Sequence, residues 1–319
     1  MSRVVVTGKV PEAALEKLRA EHEVDAWTES TSIGRAELLR RVAGADAVVS
    51  LLTERIDDEL LAAAGPQLKV VANVAVGYDN VDVPACTARG VVATNTPGVL
   101  TEATADIAFG LILMATRRLG EGERLLRAKE PWKWGMFFLL GSSLQGKTLG
   151  IIGMGGIGQA TARRAKAFGM DVVYQSRSEI DPAIATELGA RRVELDELLA
   201  VSDVVSVHCP YGPSTHHLIG AEQLEAMKST AYLVNTARGP IVDEEALATA
   251  LRSGVIAGAG LDVFEKEPEV NSGLLTLENV VIVPHLGSAT VETRTAMAVL
   301  AAENALAVLR GDEAVTPIR

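Results

Sequence analysis

The amino-acid sequence predicts an α/β protein made of two doubly wound parallel sheets. Three observations carry that expectation. Short β-rich runs alternate with helical runs from end to end, the series restarts near mid-chain, and a glycine-rich turn opens the second series rather than the first. β/α alternation implies parallel strands, because a parallel pair needs a crossover long enough to hold a helix. The chain has 319 residues, room for about two domains.

In the first series, strands are expected at RVVVTG (3–8), ADAVVSLL (45–52), KVVANVA (69–75) and GVVATN (90–95). Amphipathic helices separate them, such as PEAALEKLRAE (11–21), whose Pro11 suits the first helical position. A helical stretch from about Thr101 to Lys129 follows, then the aromatic loop EPWKWGMFFLLGSSLQGK. The second series has strands at TLGIIG (148–153), MDVVYQ (170–175), DVVSVH (203–208), TAYLVN (230–235), GAGLDV (258–263) and VVIVPH (280–285). A last helix is expected from Ala289 to Leu309. Two complete series do not fit comfortably in one open sheet. The second is therefore expected to be a domain of its own (100–287), inserted into the first (1–99 plus 288–319), with a hinge at crossings near 97–101 and 286–290.

Hydrophobic residues make up 48% of the chain and charged residues 22%, as in soluble globular enzymes. The longest apolar run, Ile107 to Ala115, is too short to span a bilayer, and MSRVVVTGKV lacks a signal-peptide pattern. No membrane partner is expected. A formal charge of −11 argues against a nucleic-acid partner. Two cysteines, Cys86 and Cys209, give no disulfide framework and fit a reducing, cytoplasmic compartment.

Two phosphate-loop signatures compete. GSSLQGKT (141–148) matches a Walker loop formally, but an apolar strand, LGIIG, follows it where a helix is required. Gly153-Met-Gly155-Gly156-Ile157-Gly158 instead lies between that strand and the helix GIGQATARRAKAFG, with the strand DVVYQ beyond. There Gly153 permits the tight turn, Gly155 lets a pyrophosphate approach the backbone, and Gly158 lets helix and strand pack closely. The helix N-terminus adds free amides and partial positive charge. An NAD-binding unit usually carries Asp or Glu at the end of its second strand. Here the sequence reads Tyr174-Gln175-Ser176-Arg177-Ser178. Arg177 and the two hydroxyls suit a 2′-phosphate, so NADP(H) is favoured and NAD(H) remains possible.

Ligands of open parallel sheets bind beyond the carboxyl ends of the strands. Polar groups expected there are His208-Cys209-Pro210, Thr236 and Arg238 after YLVN, Asp262, Glu267 within FEKEP (with Glu265 and Glu269 as rivals), and His285 followed by Leu-Gly287-Ser. An arginine grips a carboxylate with two parallel bonds, and a histidine beside a carboxylate is a natural proton donor near neutral pH. No HExxH, GxSxG or Cys/His metal spacing is present, so neither a metal nor a covalent nucleophile is expected.

With GIIGMGGIGQATARRAKAFGM, NTARGPIVDEEAL, GLDVFEKEP and PHLGSAT, the chain resembles the D-isomer-specific 2-hydroxyacid dehydrogenase family over essentially its whole length. The resemblance implies a Rossmann-type cofactor domain inserted into a flavodoxin-like substrate domain. It places the catalytic groups at Arg238, Glu267 and His285 and puts Asp262 near the nicotinamide carboxamide. Thr104 would lie beside the nicotinamide, and the Val76–Gly77 amides would hold a substrate carboxylate. The remaining expected cofactor contacts are Gly156, Ile157, Ser176, Ser178, Cys209, Pro210, Thr215, Thr236 and Gly287, and Leu52 is expected on the substrate side.

Within the family the chain is most similar to glyoxylate/hydroxypyruvate reductases, through the Ser-Arg pair, the WKW loop and LLTLENVVIVPHLGSATVETR. That implies NAD(P)H-dependent reduction of a small 2-keto acid to the D-2-hydroxy acid. The alternatives are a 2-ketogluconate or other 2-keto acid reductase, and a non-enzymatic NAD(H)-binding sensor or corepressor. The corepressor reading is discounted because this chain starts at its first strand and ends ten residues after its last helix. Trp132, Trp134, Phe137 and Phe138 resemble a dimer-arm loop, implying a homodimer.

Overall fold

The computed structural model describes residues 1–318, and the chain divides into two compact units. One comprises Met1–Leu100 with Ser288–Arg319, the other Thr101–Gly287.

The first unit holds a five-stranded sheet of β1 (Arg3–Val6), β2 (Glu23–Ala26), β3 (Ala47–Ser50), β4 (Val70–Asn73) and β5 (Val92–Thr94). The order is β2-β1-β3-β4-β5 and every pair is parallel, the flavodoxin-like arrangement. Successive residues feed opposite faces, as the two-residue period of a strand requires. Val5, Val48 and Val71 pack against Leu38, Ile56 and Leu60. Val4, Val6, Val49 and Ala72 pack against Leu18 and the alanine face of the helix Val291–Arg310 (Ala298, Ala301, Ala302 and Ala305). Small side chains on that helix let a 20-residue element lie close to the sheet.

The second unit has seven strands: β6 (Thr148–Ile152), β7 (Asp171–Gln175), β8 (Ala190–Arg192), β9 (Val204–Val207), β10 (Tyr232–Asn235), β11 (Gly258–Leu261) and β12 (Val280–Ile282). They pair in parallel in the order β12-β11-β10-β9-β6-β7-β8. The order reverses at β6, the doubly wound pattern of dinucleotide-binding sheets. Two apolar clusters cover its faces, one around Ile152, Val205, Val207 and Leu233, the other around Leu149, Ile151, Val172 and Val234.

Several expectations need correction. The sequence reading missed β2 and β8. Both are edge strands with short, incompletely buried sequences, EVDA and ARR, and carry no apolar run to mark them. The expected helix from Thr101 to Lys129 is two helices, Thr101–Thr116 and Leu119–Arg127, broken where Arg118 takes a left-handed conformation (φ 54°). The last strand ends at Ile282, and His285 has left the ladder with φ 52°. Residues 141–147 form a loop leading directly into β6, with no helix where a Walker loop would need one, in line with the rejection of that signature. Among the described residues no helix is long and apolar enough to cross a membrane. None of their His, Cys, Asp and Glu side chains form a group of three able to hold a metal ion.

Candidate active site

The glycine turn of the second unit is built as its spacing demands. Gly153 has φ 96°, and a β-carbon there would sit 2.4 Å from the backbone nitrogen of Cys209. A β-carbon on Gly158 would meet the Gly153 carbonyl at 2.4 Å, so helix and strand touch only because both positions are glycine. At Gly155 a β-carbon would meet nothing within 4 Å, leaving open space over the turn. The helix Gly156–Ala167 begins here with no side-chain cap, so its first amides remain available to an anion. Further along the same sheet, Thr236 directly follows β10, and its buried hydroxyl oxygen has no hydrogen-bond partner among the described residues. An uncapped helix start, an open glycine and an orphaned hydroxyl together fit a dinucleotide.

At the end of β7, Arg177 is exposed and the Ser176 hydroxyl donates to the Ser178 carbonyl at 2.5 Å. The guanidinium of Arg192, on the missed strand β8, donates to the carbonyls of Ser176 (2.9 Å) and Arg177 (3.3 Å). Two arginines therefore flank the turn, a feature invisible until β8 is seen to pair with β7. In the next loop, Thr215 donates to the Pro210 carbonyl at 3.0 Å and accepts from the Gly212 amide at 2.9 Å, which closes the turn on itself. Burial pushes the Cys209 thiol up to about 11, against the nearby charge of Arg177, so it stays protonated.

The three expected catalytic side chains belong to neighbouring loops of this unit. His285 Nδ1 lies 2.8 Å from Glu267 Oε2, while Glu267 Oε1 accepts from the Phe264 amide at 3.0 Å. Both carboxylate oxygens are thus engaged, and Nε2 is the imidazole atom left to exchange a proton. Burial pushes the Glu267 carboxyl upward. The bonds from His285 and Phe264, with the charges of His285 and Arg238, outweigh that and hold it below the usual range. Glu267 is therefore ionised at neutral pH.

Arg238 follows β10, where Asn235 donates to its carbonyl at 2.8 Å and accepts from the Ala237 amide at 3.0 Å. A β-carbon on Gly239 would fall 1.9 Å from the Phe264 carbonyl carbon. Glycine there lets the arginine loop abut the segment that leads to Glu267. Glu244 and Glu265 lock the same segment from below. The Glu244 amide donates to Glu265 at 2.8 Å, and the Glu265 amide donates to Glu244 at 2.6 Å. Neither Asn235 nor Glu244 was singled out in the sequence, although both lie in the motif NTARGPIVDEEAL, and Glu265, a rival to Glu267 there, instead holds this segment in place.

Asp262 is fully buried and grips the His285 turn. Its carbonyl accepts from the His285 amide at 2.8 Å, and its carboxylate accepts from the amides of Leu286 (2.5 Å) and Gly287 (2.8 Å). Burial raises its pKa, and the two amide bonds partly offset this. The side chain expected near the carboxamide therefore holds the backbone that aims His285. Thr104 reaches the same place, since a β-carbon on Gly287 would lie 3.2 Å from Asp262 and 3.3 Å from Thr104.

In the first unit, Leu52 is 40% exposed on the loop after β3, and Val76 and Gly77 are half-buried on the loop after β4. Both loops leave the carboxyl edge of that sheet.

Residues 109–287 match the family model described as D-isomer specific 2-hydroxyacid dehydrogenase, NAD binding domain. The chain is 47% identical over 315 residues to glyoxylate reductase of Thermococcus litoralis, covering 97% of this chain and 94% of the relative. It is 50% identical over 313 residues to that of Korarchaeum cryptofilum, covering 97% and 93%. Among solved structures, a glyoxylate reductase from Paecilomyes thermophila superposes with a TM-score of 0.91 at 37% identity, covering 99% of this chain and 98% of that one. The NADPH-dependent glyoxylate/hydroxypyruvate reductase of Sinorhizobium meliloti, in complex with NADP and malonate, gives 0.85 at 37% identity, covering 99% and 96%. The chain belongs to the D-isomer specific 2-hydroxyacid dehydrogenases and is an oxidoreductase that uses a nicotinamide nucleotide.

Proposed function

We propose that the chain reduces a small 2-keto acid, glyoxylate or hydroxypyruvate, to the corresponding D-2-hydroxy acid. The observation that carries this is the 2.8 Å contact between His285 Nδ1 and Glu267 Oε2, in a unit that also offers Arg238. The reduced nicotinamide nucleotide supplies the hydride when bound. His285, protonated and oriented by Glu267, gives its Nε2 proton to the substrate oxygen as negative charge develops there. Arg238 polarises the carbonyl and takes the carboxylate, and the Val76–Gly77 amides are assigned to carboxylate binding. The unit Thr101–Gly287 is assigned as the dinucleotide-binding domain and the remainder as the substrate domain. The relatives' glyoxylate activity supports the substrate.

We further assign a preference for NADPH. No acid stands at the end of β7, and Arg177, Ser176 and Ser178 form a turn that a second arginine braces. A homodimer and a cytoplasmic location complete the reading. Trp132, Trp134, Met136 and Phe137, the last 88% exposed, make an apolar surface suited to a second copy. Both cysteines are unpaired, as in a reducing compartment. The deciding experiment follows NADPH and NADH oxidation side by side with glyoxylate, then hydroxypyruvate. Fast turnover favouring NADPH is expected. Turnover with NADH alone overturns the cofactor assignment, and activity confined to larger acids such as 2-ketogluconate overturns the substrate.

A further inference from the structure

Resting on the assignment of the Val76–Gly77 loop to carboxylate binding, we infer that Asn73 and Asn95 are positioning residues that turn three consecutive backbone amides into an anion cradle. The cradle includes the amide of Tyr78 as a third donor. Three successive carbonyls in this loop are tied down. Ala75 accepts from the Thr96 amide at 2.8 Å, Val76 from the Asn95 side-chain amide at 2.8 Å, and Gly77 from the Asn73 side-chain amide at 3.1 Å. A trans peptide points its N–H opposite to its C=O. Pinning the carbonyls of 75, 76 and 77 therefore turns away the N–H groups of Val76, Gly77 and Tyr78, and none of these donates to a described residue. Consecutive amides presented together form an anion-binding concavity.

The two asparagines are themselves held. Asn73 ends β4, is fully buried, and accepts from the Ser50 hydroxyl at 3.1 Å. It also exchanges bonds of 3.1 and 3.2 Å with Asn80. Asn80 in turn donates to the Glu54 carbonyl at 2.9 Å, which ties in the loop bearing Leu52. Asn95 follows β5, and its own carbonyl accepts from the Thr316 hydroxyl at 2.6 Å. Thr316 is fixed by the fully buried Asn304, with bonds of 2.8 Å in each direction. The cradle is therefore set by side chains anchored in the sheet and in the C-terminal segment. No cation contributes to these bonds. The arrangement suits a small carboxylate, which accepts several N–H donors at once.

Asn95→Ala tests this directly. KM for glyoxylate and the inhibition constant of oxalate should rise together by about tenfold or more, as expected for an anion losing an oriented amide. Turnover at saturation should stay within about threefold, because the proton donor and the cofactor turn are untouched. The affinity for NADPH, titrated by fluorescence without substrate, should not move. A KM and oxalate constant within twofold of the parent, in protein with an unchanged thermal midpoint, overturns the assignment of Asn95. A fall in kcat at constant KM also overturns it. Where Asn95→Ala does not fold, Asn95→Gln, which keeps the donor but displaces it, is read by the same two constants. If the unaltered protein neither reduces glyoxylate nor binds oxalate, the carboxylate reading of the loop fails before the asparagines are tested.

Discussion

The carboxyl edges of the two sheets are built from different materials. In the second unit the edge carries ionisable groups: Arg238, Glu267 and His285, with Asp262 and Glu244 clamping the loops that bear them. In the first unit the loop after β4 is governed by neutral asparagines, and the groups turned outward are backbone amides. The difference follows from the work assigned to each. Proton transfer needs a side chain whose charge can change, whereas holding an anion needs donors that are fixed and cost no reorganisation.

Removing the ionisable part should therefore have the largest effect. His285→Ala is expected to lower kcat by about 10²–10⁴-fold while NADPH binding, followed by fluorescence titration, is retained. Retained turnover would break the contrast, because the second edge would then be a binding surface like the first. Glu267→Gln comes next, with a loss of about 10- to 100-fold from removing a charge-assisted hydrogen bond. The loss should fall on kcat and should nearly vanish in a background that already carries His285→Ala, because the two groups act as a unit. A loss of the same size in both backgrounds would show that Glu267 does not act through His285.

A smaller, selective effect is expected at the end of β7. Arg177→Ala should raise the KM for NADPH by about tenfold and that for NADH by less than about twofold, since only NADPH carries the extra phosphate. Equal shifts would remove the arginine from cofactor choice. Arg192→Ala, which loosens the turn rather than touching the phosphate, should shift both constants in the same direction but less.

How much of this was legible in the sequence divides along the same line. Charged residues in fixed motifs are visible, because Arg238, Glu267 and His285 announce their chemistry by type, and Gly153, Gly155 and Gly158 by spacing. The central strands are visible because they are buried on both faces and apolar throughout. The edge strands β2 and β8 are not, since EVDA and ARR bury little. The break at Arg118 is equally silent, because the nearby glycines, Gly120 and Gly122, fall inside the second helix and not at the break itself. Asn235 looks like an ordinary strand-end residue closing its own turn, and so do Asn73 and Asn95, whose partners include Ser50 on β3, Val76 and Asn80 in the loop after β4, and Thr316 in the C-terminal segment. Their role depends on tertiary neighbours that a one-dimensional pattern does not encode.

The last effect concerns stability, not activity, and separates the two edges by pH. His208 follows β9, and its Nε2 lies 2.9 Å from the Ser206 hydroxyl. Burial pushes its imidazole from 6.5 down to about 4, so it stays neutral in the folded protein at mildly acid pH. Between those values the unfolded chain binds a proton that the folded chain refuses. Stability is therefore lost as pH falls from about 6.5 to about 4, with no further loss from this group below that. Asn73 and Asn95 do not titrate and add no such slope at the other edge. His208→Gln, which can keep the bond to Ser206, should flatten the fall of the urea midpoint between pH 6.5 and 4.5 relative to the parent. The comparison of slopes isolates this group, because every carboxylate titrates alike in both proteins. Parallel slopes would mean that the ring takes up its proton in the folded state, and that the edge built for proton transfer carries no acid penalty at this position.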